Sequence, residues 1–339
     1  MLLGPQTAMF VVHSLPIAIL FCVITMLGWG SWANTQKLAG TQKWPFELFY
    51  WDYAIGVLLF SLVFAHTLGS FGSIGMGARE NMHAAGFDYF LPAVFSGAIF
   101  NLSNILLVVG IDAAGMSVAF PVGVGLALVI GTVENYIERP QGNATLLFSG
   151  VALIVLAMVA SALAHRRLPQ GAGRRPLRGL IASVVAGCFM GFFYPLLIRS
   201  VSPDFNSQPI RPGMLTPYVA LVAFGAGVFA SNFLWNTIFM RVGRVTYAQY
   251  FRGSARLHLI GVLGGCIWMI ALSFNLLASS VAGPAISYAL GQGATLVAAL
   301  WGLLIWREFR LAPPGTTKYI VLMLAGYAGG LFLIGSATQ

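Results

Sequence analysis

Residues 165–178 read HRRLPQGAGRRPLR, with five arginines (Arg166, Arg167, Arg174, Arg175 and Arg178), two glycines and two prolines. On either side the chain turns apolar and stays so for spans of twenty residues or more. Counting outward from this basic segment decides the fold. A helix needs about 20 predominantly apolar residues to cross the hydrocarbon core of a bilayer. Five such stretches precede the segment, at 13–34, 46–69, 89–111, 116–136 and 145–164. Five follow it, at 179–200, 215–238, 257–277, 281–303 and 318–336. The runs are continuous and do not alternate, which excludes a membrane β-barrel. The expected fold is an all-α integral membrane protein of ten spans. Residues 1–164 form a first five-helix half, 165–178 a basic cytoplasmic linker and 179–339 a second half.

Composition agrees. Of 339 residues 58% are hydrophobic and 8% charged, against about 25% charged in soluble domains. Such a chain cannot clothe its surface in water, so its surroundings are lipid. The net charge of +9 would suggest nucleic acid in a soluble protein. Here the basic residues lie in short connectors, and no nucleic-acid partner is expected. Basic residues mark cytoplasmic loops. With the N-terminus outside, fourteen fall inside: Lys37, Lys43, the five linker arginines, Arg241, Arg244, Arg252, Arg256, Arg307, Arg310 and Lys318. Four (Arg79, Arg139, Arg199, Arg211) fall outside. Both termini are therefore expected outside a plasma (inner) membrane. Residues 1–12 lack the basic start of a secretory signal, and the first run reads as a retained helix. Cys22, Cys188 and Cys266 lie within apolar runs, and the five histidines are scattered. Neither a disulfide framework nor a metal site is expected, nor any cofactor.

An internal repeat is visible. GMSVAFPVGVGLALVIGTVENYIER (115–139) aligns without a gap on GPAISYALGQGATLVAALWGLLIWR (283–307). Gly115, Gly123, Gly125 and Arg139 match Gly283, Gly291, Gly293 and Arg307. With five spans per half, the second half enters the bilayer from the opposite side. An inverted repeat suits alternating access, with solute held near the midplane between the halves.

Polar side chains inside the spans gather at helical spacings. Asn232, Trp235 and Asn236 stand at i, i+3 and i+4, and Asn101 and Asn104 at i, i+3. Trp268 and Asn275 are two turns apart, and Trp29 and Trp32 share a face with Asn34 and Gln36 just beyond. Spacings of three, four and seven form one stripe of a helix. Ser287 and Gln292 add polar groups to the ninth span. A buried amide is ordinarily a contact between helices, and a tryptophan at a span end an interfacial anchor. Together, amides offer donors and acceptors and indoles a flat apolar face. That pairing suits a sugar, and equally a planar amide-rich solute such as a ureide or nucleobase. The substrate-binding candidates are thus Trp29, Trp32, Asn34, Asn101, Asn104, Asn232, Trp235, Asn236, Trp268, Asn275, Ser287 and Gln292. Two of the nine acids, Asp52 and Glu134, lie within spans. Intramembrane acids are costly and mark functional sites, so both are candidates for coupling to a proton or sodium ion. His258 is a weaker one.

VIGTVENY (129–136), LLFSGVALIVLAMVASALAH (146–165) and LVAALWGLLIWREFR (296–310) resemble the plant ureide permeases of the drug/metabolite transporter superfamily. SGAIFNLSNILL (96–107), GMS (115–117) and LGGCIWM (263–269) resemble the L-rhamnose–proton symporters. LGWGSWANTQKLAG (27–40) and GVLGGCIW (261–268) resemble the bacterial glucose/ribose porters. The resemblance implies import of a small polar solute by proton or sodium symport. It also implies a cavity formed by spans one to four and six to nine, with Asn104 and Trp268 at motif positions. The first span has no acid, unlike the small multidrug exporters of the superfamily. The central loop is too short for the nucleotide-motif-like insertion of the ureide permeases. The expected function is a secondary carrier for a monosaccharide such as L-rhamnose. The alternative is a ureide or nucleobase (allantoin-like) permease. A metabolite exporter fits less well, and a membrane enzyme would need an acid or histidine cluster that the sequence lacks.

Overall fold

The computed structural model describes residues 8–72, 74–114, 119–168 and 176–338. Residues 169–175 of the basic linker, and Gly115, Met116 and Ser117 of the repeat and motif readings, lie outside them. The described chain is helical: α1 (Leu15–Ser31), α2 (Ala33–Thr41), α3 (Phe46–His66), α4 (Ala78–Ala84), α5 (Phe87–Ala114), α6 (Gly125–Glu138), α7 (Ala144–His165), α8 (Pro176–Ser200), α9 (Pro217–Val242), α10 (Tyr247–Phe251), α11 (Ala255–Ala282), α12 (Pro284–Gly291), α13 (Ala294–Leu300) and α14 (Thr317–Ser336). Two π-helical turns, Phe120–Val124 and Trp301–Ile305, adjoin α6 and α13. Among the described residues, nine helical segments are long and apolar enough to cross a membrane. This is a multi-pass, all-helical membrane protein.

Nine of the ten expected stretches match these segments closely. The fourth does not qualify among the described residues: it runs as the π turn Phe120–Val124 and the 14-residue α6. The first continues past the expected end, since α2 follows α1 after the single residue Trp32 to make one span, Leu15–Thr41. The ninth is interrupted at Gln292 and Gly293, between α12 and α13.

Helix starts are set by local chemistry. Thr216 accepts from the Val219 N–H, and Pro217 sits at the first helical position, where a missing N–H costs nothing. Asn143 caps α7 through Leu146 N–H, a contact worth about 1 kcal/mol. Thr246 and Gln249 close a reciprocal capping box on α10. Between α11 and α12 stands one residue, Gly283, at φ +84°; only glycine takes that conformation without strain.

Contacts divide the chain into two compact units, each drawn from both halves of the sequence. The first comprises Met1–Asn101 and Leu196–Val281, and the second Leu102–Pro195 and Ala282–Gln339. In the first, α3 packs along α9. One rim is tied by backbone and amide bonds. Met9 pairs with Ile74, and the buried Asn81 amide donates to Met214 O (3.0 Å) and accepts from Thr216 N–H (2.8 Å). Tyr218 donates to Phe10 O at 2.8 Å. In the second unit, α7 and α14 lie side by side. Gly150 faces the Gly330 carbonyl and Ile334 with no room for a Cβ, the close approach that small residues give membrane helices.

Candidate functional site

The first unit carries most of the expected site. Trp268 is buried on α11 and centres an aromatic group. Its ring lies 4.1 Å from Phe100 on α5, 5.7 Å from Phe224 on α9 and 5.9 Å from Trp29 on α1. All three are near parallel to it, at 30°, 14° and 23°. Trp32 packs on Tyr53 at 5.0 Å, and Tyr53 stacks on Tyr50 at 5.1 Å.

The amides of the first unit behave in different ways. Asn101 donates to Val228 O (3.2 Å) and Ser231 Oγ (2.9 Å), clasping α5 to α9. Asn236 donates to Glu47 O at 2.8 Å, clasping α9 to α3. Both are helix glue through Nδ2, while their carbonyl oxygens are buried without a partner among the described residues. Asn232, between them on α9, is 0% exposed, and neither its Oδ1 nor its Nδ2 has a partner. Among the buried amides of the described residues, it alone is unpartnered at both atoms. The Trp29, Trp44 and Trp235 indole N–H groups and the Tyr53 hydroxyl are also buried without partners. Leaving an amide unpaired in an apolar interior costs about 1–3 kcal/mol, and each such group in a native structure asks for an explanation. A ligand that supplies the missing bonds is one.

Other candidates have ordinary local roles. Asn34 donates to Ser31 O at 2.9 Å across the α1–α2 joint. Asn275 is fully buried on α11. Asn104, Ser287, Gln292 and Glu134 belong to the second unit. There Ser287 donates to Pro284 O (3.2 Å) in the first turn of α12. Gln292 is buried at the helix break, where its backbone carbonyl accepts from Thr295 Oγ1 at 3.0 Å. Glu134 is half-buried in the latter part of α6.

Asp52 has a more developed setting. His258 Nδ1 lies 3.0 Å from both of its carboxylate oxygens, and the Tyr250 hydroxyl donates to Oδ1 at 2.6 Å. Burial and the bond to Asp52 push the Tyr250 phenol well above its ordinary range, so it is a fixed donor. Sequence reading missed Tyr250 and Tyr53. Tyr53 had a signal in its place next to Asp52, whereas Tyr250 sits in a connector and had none. No group of three or more metal-ligating side chains occurs among the described residues.

These features define an all-helical membrane protein with a polar cluster inside its bundle, and comparison with known proteins agrees. Residues 49–171 match the family model described as ureide permease. Ureide permease 1 of Arabidopsis thaliana is 22% identical, over 93% of this chain and 95% of its own length. Ureide permease 4 is 21% identical over 96% and 98%, and ureide permease 5 is 21% identical over 98% and 97%. A solved structure, described only as a crystal structure of a protein, superposes with a TM-score of 0.63 at 14% identity, over 92% of this chain and 95% of that one. The chain is similar to these ureide permeases over nearly its full length. These relatives are named as permeases. They favour the ureide alternative over the monosaccharide reading, which nothing in these comparisons supports.

Proposed function

We propose that this protein is a secondary carrier for a small, planar, amide-bearing solute of the ureide class. It works by alternating access between two inverted five-helix halves, and a cation gradient drives import. The observation that carries the solute class is Asn232, fully buried with donor and acceptor both unsatisfied. A carboxamide presents one N–H and one C=O side by side. A lactam or urea edge offers the complementary pair, so two bonds form at once and fix the solute's orientation. The Trp268 and Trp29 rings supply flat apolar surface, and the Trp29 N–H and Tyr53 hydroxyl supply further polar contacts. A ureide has both a flat face and amide edges, and the relatives carry ureide permease in their names. The excess of basic residues in alternate connectors favours both termini outside, in the plasma membrane.

Counterflow in proteoliposomes tests this reading. Vesicles loaded with unlabelled allantoin are expected to take up labelled allantoin, and L-rhamnose in excess should leave that exchange unchanged. Exchange of L-rhamnose without exchange of allantoin would overturn the proposal.

A further inference from the structure

Apart from the indole–amide cluster, the first unit brings together one set of ionisable side chains from three separate elements. Asp52 lies nearly two turns into α3, with its side chain 2% exposed, while that of His258, one turn into α11, is 27% exposed. The acid is sealed and its partner is open. Gly261 makes the approach possible, since a Cβ there would meet Asp52. His258 Nε2 faces Gly253 in the connector, and the Trp44 ring stands edge-on to the imidazole at 5.7 Å. The ionisable groups touching the carboxylate are His258 from α11 and Tyr250 from α10. Glu47, on α3 itself, lies beside Gly243 instead. The connectors before α3 and on either side of α10, with the first turn of α11, carry exposed basic residues, Lys43, Arg244, Arg252 and Arg256.

We propose that Asp52 and His258 form the proton-exchange site that couples this carrier to a proton gradient, with Tyr250 as a positioning residue. The proposal rests on the carrier reading above and names its coupling ion. In the empty pair, neutral His258 donates its Nδ1–H to the Asp52 carboxylate, and the pair carries one net negative charge. A proton from water adds to Nε2, the ring nitrogen turned to the connector. The pair becomes imidazolium and carboxylate, with no net charge. The same proton leaves from Nε2 to water on the far side, and no other bond changes. An unpaired charge within the membrane is costly, and a matched pair much less so. Loading with a proton therefore favours the form that can reorient. Tyr250 holds the carboxylate from the connector side and keeps it aimed at the imidazole. Sodium fits this site poorly. Carriers that take sodium coordinate it with unwound backbone carbonyls, and α3 is unbroken across Asp52.

Two measurements decide it. The first needs no solute. Imidazolium quenches a neighbouring indole, so Trp44 reports the charge on His258. The pH titration of tryptophan fluorescence in the purified full chain, minus that of Trp44→Phe, is expected to show a sigmoidal quench on acidification. His258→Gln should abolish it and Asp52→Asn should move its midpoint. A midpoint unmoved by Asp52→Asn, or no titrating signal between about pH 5 and 9, a window around the ordinary histidine range, overturns the proposal. The second uses allantoin in proteoliposomes under a proton gradient. The wild type should accumulate it, whereas Asp52→Asn should only equilibrate it, with counterflow retained. Accumulation by Asp52→Asn, or accumulation driven by sodium alone, overturns the proposal. If Asp52→Asn does not fold, Tyr250→Phe takes its place and should move the same fluorescence midpoint. Absence of any allantoin exchange in the wild type defeats the solute assignment alone, and the fluorescence measurement still decides the pair.

Discussion

The two units pack apolar helices in lipid with the same close backbone approaches but with different polar fittings. Both bring backbones close at glycines: Gly97 and Gly265 meet the Phe224 and Tyr53 carbonyls in the first, and Gly150 and Gly330 bring α7 and α14 together in the second. The second unit's buried Tyr288 hydroxyl reaches Ala127 O and Met190 O at 3.3 and 3.4 Å. The first adds rings and amides: Trp268 among three aromatics, and Asn101 and Asn236 clasping neighbouring helices. Both units leave buried polar atoms unmatched, Thr132 Oγ1 and Asn135 Oδ1 among those of the second. But Asn135 still donates to Gly131 O at 2.6 Å, whereas Asn232 has no bond at all. An amide left idle at both atoms is costly to bury.

That contrast can be broken most forcefully at Trp268. Trp268→Ala should cost about 3–5 kcal/mol, the range for large aromatic truncations in a core, read as a lowered melting temperature in detergent. Next comes the glycine seam. Gly150→Leu should cost about 1–3 kcal/mol by overpacking, while Gly335→Ala, with open space around it, should melt like the wild type. If Gly150→Leu melts normally, close backbone approach is not what holds the second unit.

Asn232→Leu sharpens the comparison in a different way. Removing an unsatisfied buried amide should leave stability unchanged or raise it by about 1 kcal/mol. Allantoin counterflow should fall at least about tenfold, equivalent to 1.4 kcal/mol of lost binding. A residue that only held helices together would lower both. The smallest effect belongs to Tyr250→Phe, which loses one hydrogen bond worth about 0.5–1.5 kcal/mol. It also carries a pH signature. The Tyr250 phenol titrates higher folded than its unfolded value of 10.0. Its contribution is therefore complete below about pH 10 and declines as pH rises above it. Wild type should lose more stability than Tyr250→Phe over that alkaline range, measured by thermal melts at stepped pH.

Much of the architecture was legible because it is local. A run of apolar residues long enough to cross a bilayer must close its own backbone hydrogen bonds, and a helix does so within the segment. Hence the stretches at 46–69 and 318–336 lie within three residues of α3 and α14 at each end. The caps at Asn143 and Thr216 are equally local. The solute class was less legible, because amides and indoles suit both sugars and ureides, and full-length similarity was needed to favour one.

By itself, the sequence determined that this chain crosses a membrane many times, where most helices begin and end, and which polar residues share a helix face. Only the tertiary structure decided what those residues do. Asn101, Asn232 and Asn236 are chemically identical amides, and what separates the two fasteners from the unpartnered Asn232 is whether a backbone carbonyl lies within reach of the amide. Asp52 meets partners 198 and 206 positions away in the chain, a meeting that no local pattern encodes, because it depends on where two distant segments come to rest once the helices have packed.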